Sequence, residues 1–116
     1  MKGKFRFGNP FVVLDIENNK VEVMVDTGFN GEIMLPESMV KKLSLKQIGI
    51  SDYTTASGDA QVTKVYMAEI KLFEGGKEVA ILSTSADFSL AGMELFHDYK
   101  IVIERNKNFV EIVKSD

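Results

Sequence analysis

The chain alternates between short runs rich in valine, isoleucine, phenylalanine and tyrosine and short segments rich in glycine, asparagine and aspartate. Runs of this length and composition favour β-strands, and the segments between them favour turns. Residues 61–72 show a clear alternation of side chains between two faces. The pattern therefore predicts an all-β domain with strands at residues 11–16, 21–25, 31–35, 61–72, 79–82, 101–103 and 109–113.

Turns and two short helices complete the predicted elements. Turns are expected at residues 17–20, 75–76 and 106–108, because asparagine and glycine tolerate positive φ. Pro36 suits the first turn of a helix, where its missing N–H costs nothing. That helix would bury Met39, Val40 and Leu43 and expose Lys41 and Lys42. A second short helix is predicted at residues 93–96.

Length and composition limit the possible functions. A chain of 116 residues has the size of one domain, which we assign to residues 1–116. The net charge of −3 and the lack of a basic cluster argue against a nucleic-acid partner. With no cysteine and one histidine, we expect no disulfide framework, no thiol nucleophile and no metal site. His97 precedes Asp98 at a predicted helix end, where adjacent side chains should point apart, so neither is expected to be catalytic.

The N-terminus is basic, but no sustained apolar segment follows it. A secretory signal peptide needs such a segment, and a membrane-spanning helix needs a much longer one. We therefore expect a cytoplasmic protein with no membrane partner.

The most informative segment is Asp26-Thr27-Gly28, which directly follows the apolar run Val21–Val25. A carboxylate placed where a buried strand ends, with glycine two residues later, is held at a tight turn. An aspartate in such a turn often only bonds to its own backbone. A catalytic role is favoured here by the apolar strand before it and by a second element downstream.

That second element is Leu90-Ala91-Gly92, in which two apolar residues precede a glycine. With the Asp-Thr-Gly motif before it, the sequence resembles the retropepsin-like aspartic proteases over roughly residues 9–105. The resemblance is greatest to small bacterial and archaeal members, whose D-T-G-F-x-G followed by Leu-Pro looks like residues 26–36. It implies a closed or partly open acid-protease β-barrel with one or two short helices, in which Leu90-Ala91-Gly92 packs behind the catalytic loop.

The resemblance also implies an activity, an aspartic endopeptidase acting on peptide or protein substrates without a cofactor. The chemistry needs two aspartates, and the chain has one Asp-Thr-Gly. The second must come from another copy, so the resemblance implies a homodimer with Asp26 of each subunit at the two-fold axis. Thr27 would bind the partner's loop, and Gly28 would let a substrate approach the backbone.

Two further groups of residues are expected to contact substrate. The hairpin tip Ala56-Ser57-Gly58-Asp59 is either a surface turn or, as its spacing after Asp26 suggests, a flap that closes over substrate. Apolar residues of the neighbouring strands are candidates for walls that receive substrate side chains. They are Ile33, Leu35, Val79, Ile81 and Leu82.

The sequence departs from the retroviral pattern at an ion pair. Retroviral enzymes have an aspartate and an arginine where this chain has Asn30 and Met93. Retroviral enzymes also interleave their terminal strands in the dimer, whereas this chain continues through residues 109–113. Two alternatives to an active dimer therefore stay open. One is a non-catalytic dimerisation or peptide-binding module, and the other is an inert monomer with covered edge strands.

Overall fold

The computed structural model describes residues 1–54, 57–73 and 75–116. Within them the chain forms a ten-stranded sheet and an α-helix, so the predicted all-β class is confirmed. The elements are β1 Lys2–Arg6, β2 Asn9–Ile16, β3 Asn19–Val25, β4 Ile33–Pro36, α1 Glu37–Lys42, β5 Lys46–Thr54, β6 Ala60–Lys71, β7 Gly76–Thr84, β8 Leu90–Ala91, β9 Tyr99–Glu104 and β10 Phe109–Lys114.

The sheet closes on itself. Its strand order is β5-β6-β7-β4-β8-β3-β2-β1-β10-β9, and β6 also pairs with β2. This extra contact joins Asp15 to Lys71 and Ile16 to Ile70. Strands β2, β3, β8, β4, β7 and β6 therefore form a ring, while β5 and the group β1-β10-β9 extend beyond it.

Alternating side chains in β2 and β3 fill the ring. Leu14 and Ile16 are fully buried. Val13, which precedes Leu14 and points to the opposite face, is 48% exposed. A two-residue turn joins the strands, with positive φ at Glu17 (49°) and Asn18 (64°). Turns of this kind match the right-handed twist of a hairpin. The hairpin predicted for this part of the sequence is confirmed.

Helix α1 begins directly after Pro36, which lies at the N-cap position and ends β4. Val40 is buried, Met39 and Leu43 pack against the core from partly buried positions, and both lysines are exposed. The predicted buried and exposed sides of this helix are confirmed, although the proline precedes its first turn instead of occupying it.

The second predicted helix, at residues 93–96, is wrong. This segment forms successive tight turns, with N–H to C=O bonds from Phe96 to Met93 (3.2 Å) and from His97 to Glu94 (3.4 Å). Leu95 and Phe96 are buried, so the apolar pattern reflects anchoring of a turn.

His97 and Asp98 do not point apart, as a helix end would require. His97 Nδ1 lies 3.0 Å from Asp98 Oδ1, because the chain here is a turn. The hydrogen bond and the charge of Asp98 raise the pKa of His97 above its ordinary value of 6.5, with a smaller contribution from Glu94. Both side chains of the pair are largely exposed.

Strand β1 was not predicted, and it determines how the chain termini are arranged. It pairs with β2 on one side and with β10 on the other. Met1 and Ile112 exchange backbone hydrogen bonds of 2.9 and 2.8 Å. A Cβ on Gly3 would lie 2.1 Å from the Phe11 carbonyl oxygen, so only glycine fits at this approach of β1 to β2. The terminal strands thus pair within one chain.

No helix within the described residues is long and apolar enough to span a bilayer.

We predict that Leu14→Ala lowers the free energy of unfolding by about 2–5 kcal/mol, because it leaves a cavity in the closed ring. Val13→Ala, one residue away on the opposite face, should cost less than about 1 kcal/mol. Chemical denaturation of both variants tests this. Equal losses would contradict the assignment of the core face of β2.

Candidate active site

Asp26 is positioned by the end of β3. This strand runs parallel to β8, with Met24 opposite Leu90 and Val25 opposite Ala91. The Asp26 N–H donates to the Ala91 carbonyl at 2.9 Å. Because Leu90 and Ala91 are buried, the backbone of Asp26 is tied to the interior of the domain.

The side chain of Asp26 turns back onto its own loop. Its Oδ1 accepts a hydrogen bond from the Gly28 N–H at 2.9 Å, and its carbonyl accepts one from the Phe29 N–H at 3.2 Å. This is the local turn bond that an aspartate before glycine commonly makes. Among the described residues, Oδ2 has no hydrogen-bond partner. Asp26 is half-buried, whereas Thr27 and Gly28 beside it are exposed.

Gly92 packs against the back of this loop. Its N–H donates to the Glu32 carbonyl at 2.8 Å. A Cβ at Gly92 would lie 2.2 Å from the Gly31 carbonyl oxygen and 2.6 Å from that of Phe29. Real Cβ atoms do not approach backbone oxygens so closely, so this position requires glycine. The predicted Leu90-Ala91-Gly92 element therefore lies directly behind the Asp26 loop.

The segments that carry Asn30 and Met93 contact each other through their backbones. The Met93 N–H donates to the Phe29 carbonyl at 2.9 Å, and the Glu94 N–H donates to the Gly31 carbonyl at 3.2 Å. Asn30 is exposed and lies in the same loop. The two loops that carry Asn30 and Met93 are thus joined through their main chains.

A cavity of about 450 Å³ opens beside the loop. Its lining includes Glu32, whose Oε1 accepts a hydrogen bond from the Ala80 N–H at 3.0 Å. Charged residues in its lining are acidic, and apolar ones come from the loop and from β7. The lining comprises Gly28, Phe29, Asn30, Gly31, Glu32, Ser51, Asp52, Ala80, Leu82 and Glu94.

The residues that line this cavity differ from those predicted to contact substrate side chains. Ile33, Leu35 and Ile81 have no exposed surface and belong to the core, as does Val79. Leu82 does lie in the lining. Side chains of strand β7 alternate between two faces, so Val79 and Ile81 face the core whereas Ala80 and Leu82 face the cavity. Phe29 and Ala80 were missed, although the same alternation along residues 79–82 could have indicated Ala80.

The β5–β6 hairpin borders the cavity through Ser51 and Asp52. Near its tip, Gly58 has φ of +88° and Ser57 Oγ bonds to Asp59 Oδ2 at 3.1 Å. These three residues are exposed. Ala56, the fourth residue of the predicted flap tip, lies outside the described residues.

Comparison with known proteins agrees with this arrangement. The family model of gag-polyprotein aspartyl proteases matches residues 12–98. A retropepsin-like aspartic protease from Rickettsia conorii superposes with a TM-score of 0.72 at 24% identity, covering 97% of this chain and 88% of that one. The EIAV protease complexed with the inhibitor HBY-793 gives a TM-score of 0.66 at 18% identity, covering 82% of this chain and 93% of that one.

A more distant structure has the same fold. The retroviral protease-like domain of Ddi1 from Leishmania major gives a TM-score of 0.57 at 13% identity, covering 92% of this chain and 90% of that one. A comparison with curated proteins found no significant match. The family match spans most of the chain, and the similar structures show the fold; the chain therefore belongs to the gag-polyprotein aspartyl protease family and has a retropepsin-like fold.

Proposed function

We propose that this protein is an aspartic endopeptidase that cleaves peptide or protein substrates at a site formed by two copies of the chain. The observation that carries the proposal is the placement of Asp26. Its backbone is anchored to β8, its Oδ1 is held by the Gly28 N–H, and its loop opens onto a cavity of about 450 Å³.

The chemistry requires the carboxylates of two such loops. Two carboxyl groups about 3 Å apart cannot both ionise, so they share one proton, as in other aspartic proteases. One Asp26 then accepts a proton from the attacking water, and the protonated partner donates to the scissile carbonyl oxygen. The same groups return a proton to the leaving amine.

The proposal assigns roles to exposed residues of the Asp26 loop and of the β5–β6 hairpin tip. The Thr27 hydroxyl would bond to the partner's loop and hold the two carboxylates in register. Gly28 lines the cavity and has no side chain, so an extended substrate could approach its backbone. The exposed tip residues Ser57, Gly58 and Asp59 would close over the substrate and exclude water.

The substrate side chains would be received by Phe29, Ala80 and Leu82, which supply the apolar part of the cavity lining. The absence of the retroviral ion pair supports one rival, a peptide-binding or dimerisation module without catalysis. Peptide binding without cleavage by the wild type would separate the rival from the endopeptidase.

We predict that Asp26→Asn abolishes peptidase activity, with a loss of at least about a hundredfold, because acid–base groups contribute about 10²–10⁴ to the rate. The amide is nearly isosteric but cannot act as base or share the proton. Cleavage of a peptide library followed by mass spectrometry measures the loss. Asp87→Asn makes the same chemical change at an exposed aspartate in a different cavity and should retain activity.

Two outcomes would contradict the catalytic assignment. Retained hydrolysis by a folded Asp26→Asn protein would move catalysis elsewhere. Peptide binding by the wild type without any cleavage would favour the non-catalytic module.

We predict that activity depends on association of two chains. Specific activity should fall when the protein is diluted through its dimer dissociation constant. Equimolar mixing with Asp26→Asn at constant total concentration should leave about a quarter of the dimers with two aspartates, by mass action. Activity that follows the wild-type fraction linearly would indicate a site within one chain.

We predict a bell-shaped dependence of the rate on pH, with an optimum in the acidic to mildly acidic range. The reaction needs the pair with one proton, so it fails when the pair holds two or none. Rates measured from pH 3 to pH 10 on a ~1-unit grid test this. A rate that climbs steadily through alkaline pH, or inhibition by a chelator, would rule out the proposed mechanism.

A further inference from the structure

The cavity beside the Asp26 loop contains charges of one sign. Three carboxylate residues line it, Glu32, Asp52 and Glu94, and none of its lining residues among those described is a lysine, arginine or histidine. The three come from separate segments of the chain, namely the residue before β4, strand β5 and the turn after Gly92. This acidic cavity has a volume of about 450 Å³.

The basic side chains of the protein do not neutralise the acidic cavity. Within the described part of the chain, none of its three carboxylates forms an ion pair. Lys77 of β7 donates instead to the Leu95 carbonyl at 3.5 Å, and His97 pairs with Asp98 at 3.0 Å. A cation that enters from outside is therefore attracted to the cavity without having to displace one already bound there.

Glu32 is the most firmly positioned of the three carboxylates. Its Oε1 accepts a hydrogen bond from the Ala80 N–H at 3.0 Å, and its main-chain carbonyl accepts one from the Gly92 N–H at 2.8 Å. The residue is half-buried, and its Oε2 has no hydrogen-bond donor among the described residues. A partly desolvated carboxylate oxygen of this kind is stabilised by a donor group from a ligand.

The apolar part of the lining suits the stem of a long basic side chain. It is supplied by Phe29, Ala80 and Leu82, which are all half-buried. Lysine and arginine bury their aliphatic stems along apolar surface while the charged head stays with polar groups. An aliphatic side chain would instead cover the carboxylates without replacing their hydrogen bonds to water, and an acidic one would be repelled.

We propose that the acidic cavity is a specificity pocket for a lysine or arginine of the substrate. Glu32 binds the cationic head, and Asp52 and Glu94 add negative charge around it. The inference rests on the proposed function, because it names the class of peptide that is cleaved there.

The basic residue lies close to the bond that is cleaved. Gly28 lines the cavity, and its N–H donates to the Asp26 carboxylate at 2.9 Å. The pocket and the proposed catalytic group are thus parts of one loop. Because an extended substrate rises about 3.3 Å per residue, we expect the lysine or arginine within about three positions of the scissile bond.

Cleavage of a peptide library by the wild type measures the preference at each position around the scissile bond. Lysine and arginine should be favoured over glutamine at one position by about tenfold or more, because charge-assisted hydrogen bonds are stronger than neutral ones. Aspartate and glutamate should be disfavoured at that position. General attraction to a chain of net charge −3 would instead favour basic residues weakly at every position, and that result would contradict the pocket.

Two substitutions test the assigned residues. Glu32→Gln keeps an oxygen that can accept the Ala80 N–H but removes the charge, so the preference for lysine over glutamine should fall by about tenfold. Asp52→Lys reverses one charge and should shift the preference toward acidic residues. Glu37→Gln and Asp87→Lys make the same changes at exposed residues of other cavities, and both should keep the wild-type preference.

The readout is the ratio of kcat/KM for two peptides that differ only in lysine or glutamine at the selected position. A general loss of activity leaves this ratio unchanged, whereas loss of the pocket's charge lowers it. Circular dichroism checks that every variant is folded. The measurements are made at about pH 6.5, where aspartate and glutamate side chains are ordinarily ionised.

A binding experiment distinguishes failure of the pocket from failure of the proposed function. Asp26→Asn protein, alone or combined with Glu32→Gln, is incubated with a library of short random peptides, and the retained peptides are identified by mass spectrometry. Retention of lysine- and arginine-containing peptides should be weakened by Glu32→Gln but not by the control Glu37→Gln.

Each combination of results decides both proposals. Cleavage by the wild type without a positional preference for basic residues, or with a preference that Glu32→Gln and Asp52→Lys leave unchanged, would overturn the pocket and leave the peptidase standing. Selective retention of basic peptides by a wild type that cleaves nothing would support the pocket and reject the peptidase. Neither cleavage nor selective retention would overturn both.

Discussion

The arrangement of the candidate site depends on one close approach, that of Gly92 to the loop after Asp26. The hypothetical Cβ distance of 2.2 Å to the Gly31 carbonyl oxygen leaves no room for any side chain. This approach lets β8, only two residues long, lie between β3 and β4 and pair with both strands. The Asp26 main chain is thereby anchored to the buried strand β8, while the side chain stays half-buried at the edge of the domain's interior.

The same approach explains how the loop is held without the retroviral ion pair. Three successive N–H groups, from Gly92 to Glu94, donate to carbonyls of the segment 29–32. Backbone hydrogen bonds of this kind do not depend on which side chains stand at positions 30 and 93. The change to Asn30 and Met93 therefore removes a charge interaction but leaves the backbone support that positions Asp26.

Elements with strong local signals were predictable from sequence. The β2–β3 hairpin alternates clearly and turns at Asn18, and the Asp26 loop carries a specific motif. Strand β1 escaped prediction because Phe5 is its only large apolar residue and its partner β10 lies at the opposite end of the chain. The segment 93–96 was predicted as a helix from its apolar residues, but Leu95 and Phe96 are apolar because they anchor a turn in the core.

The candidate walls failed for a different reason, since apolar character alone does not tell which face of a strand a residue occupies. Ile81 is fully buried, while its neighbours Ala80 and Leu82 line the cavity.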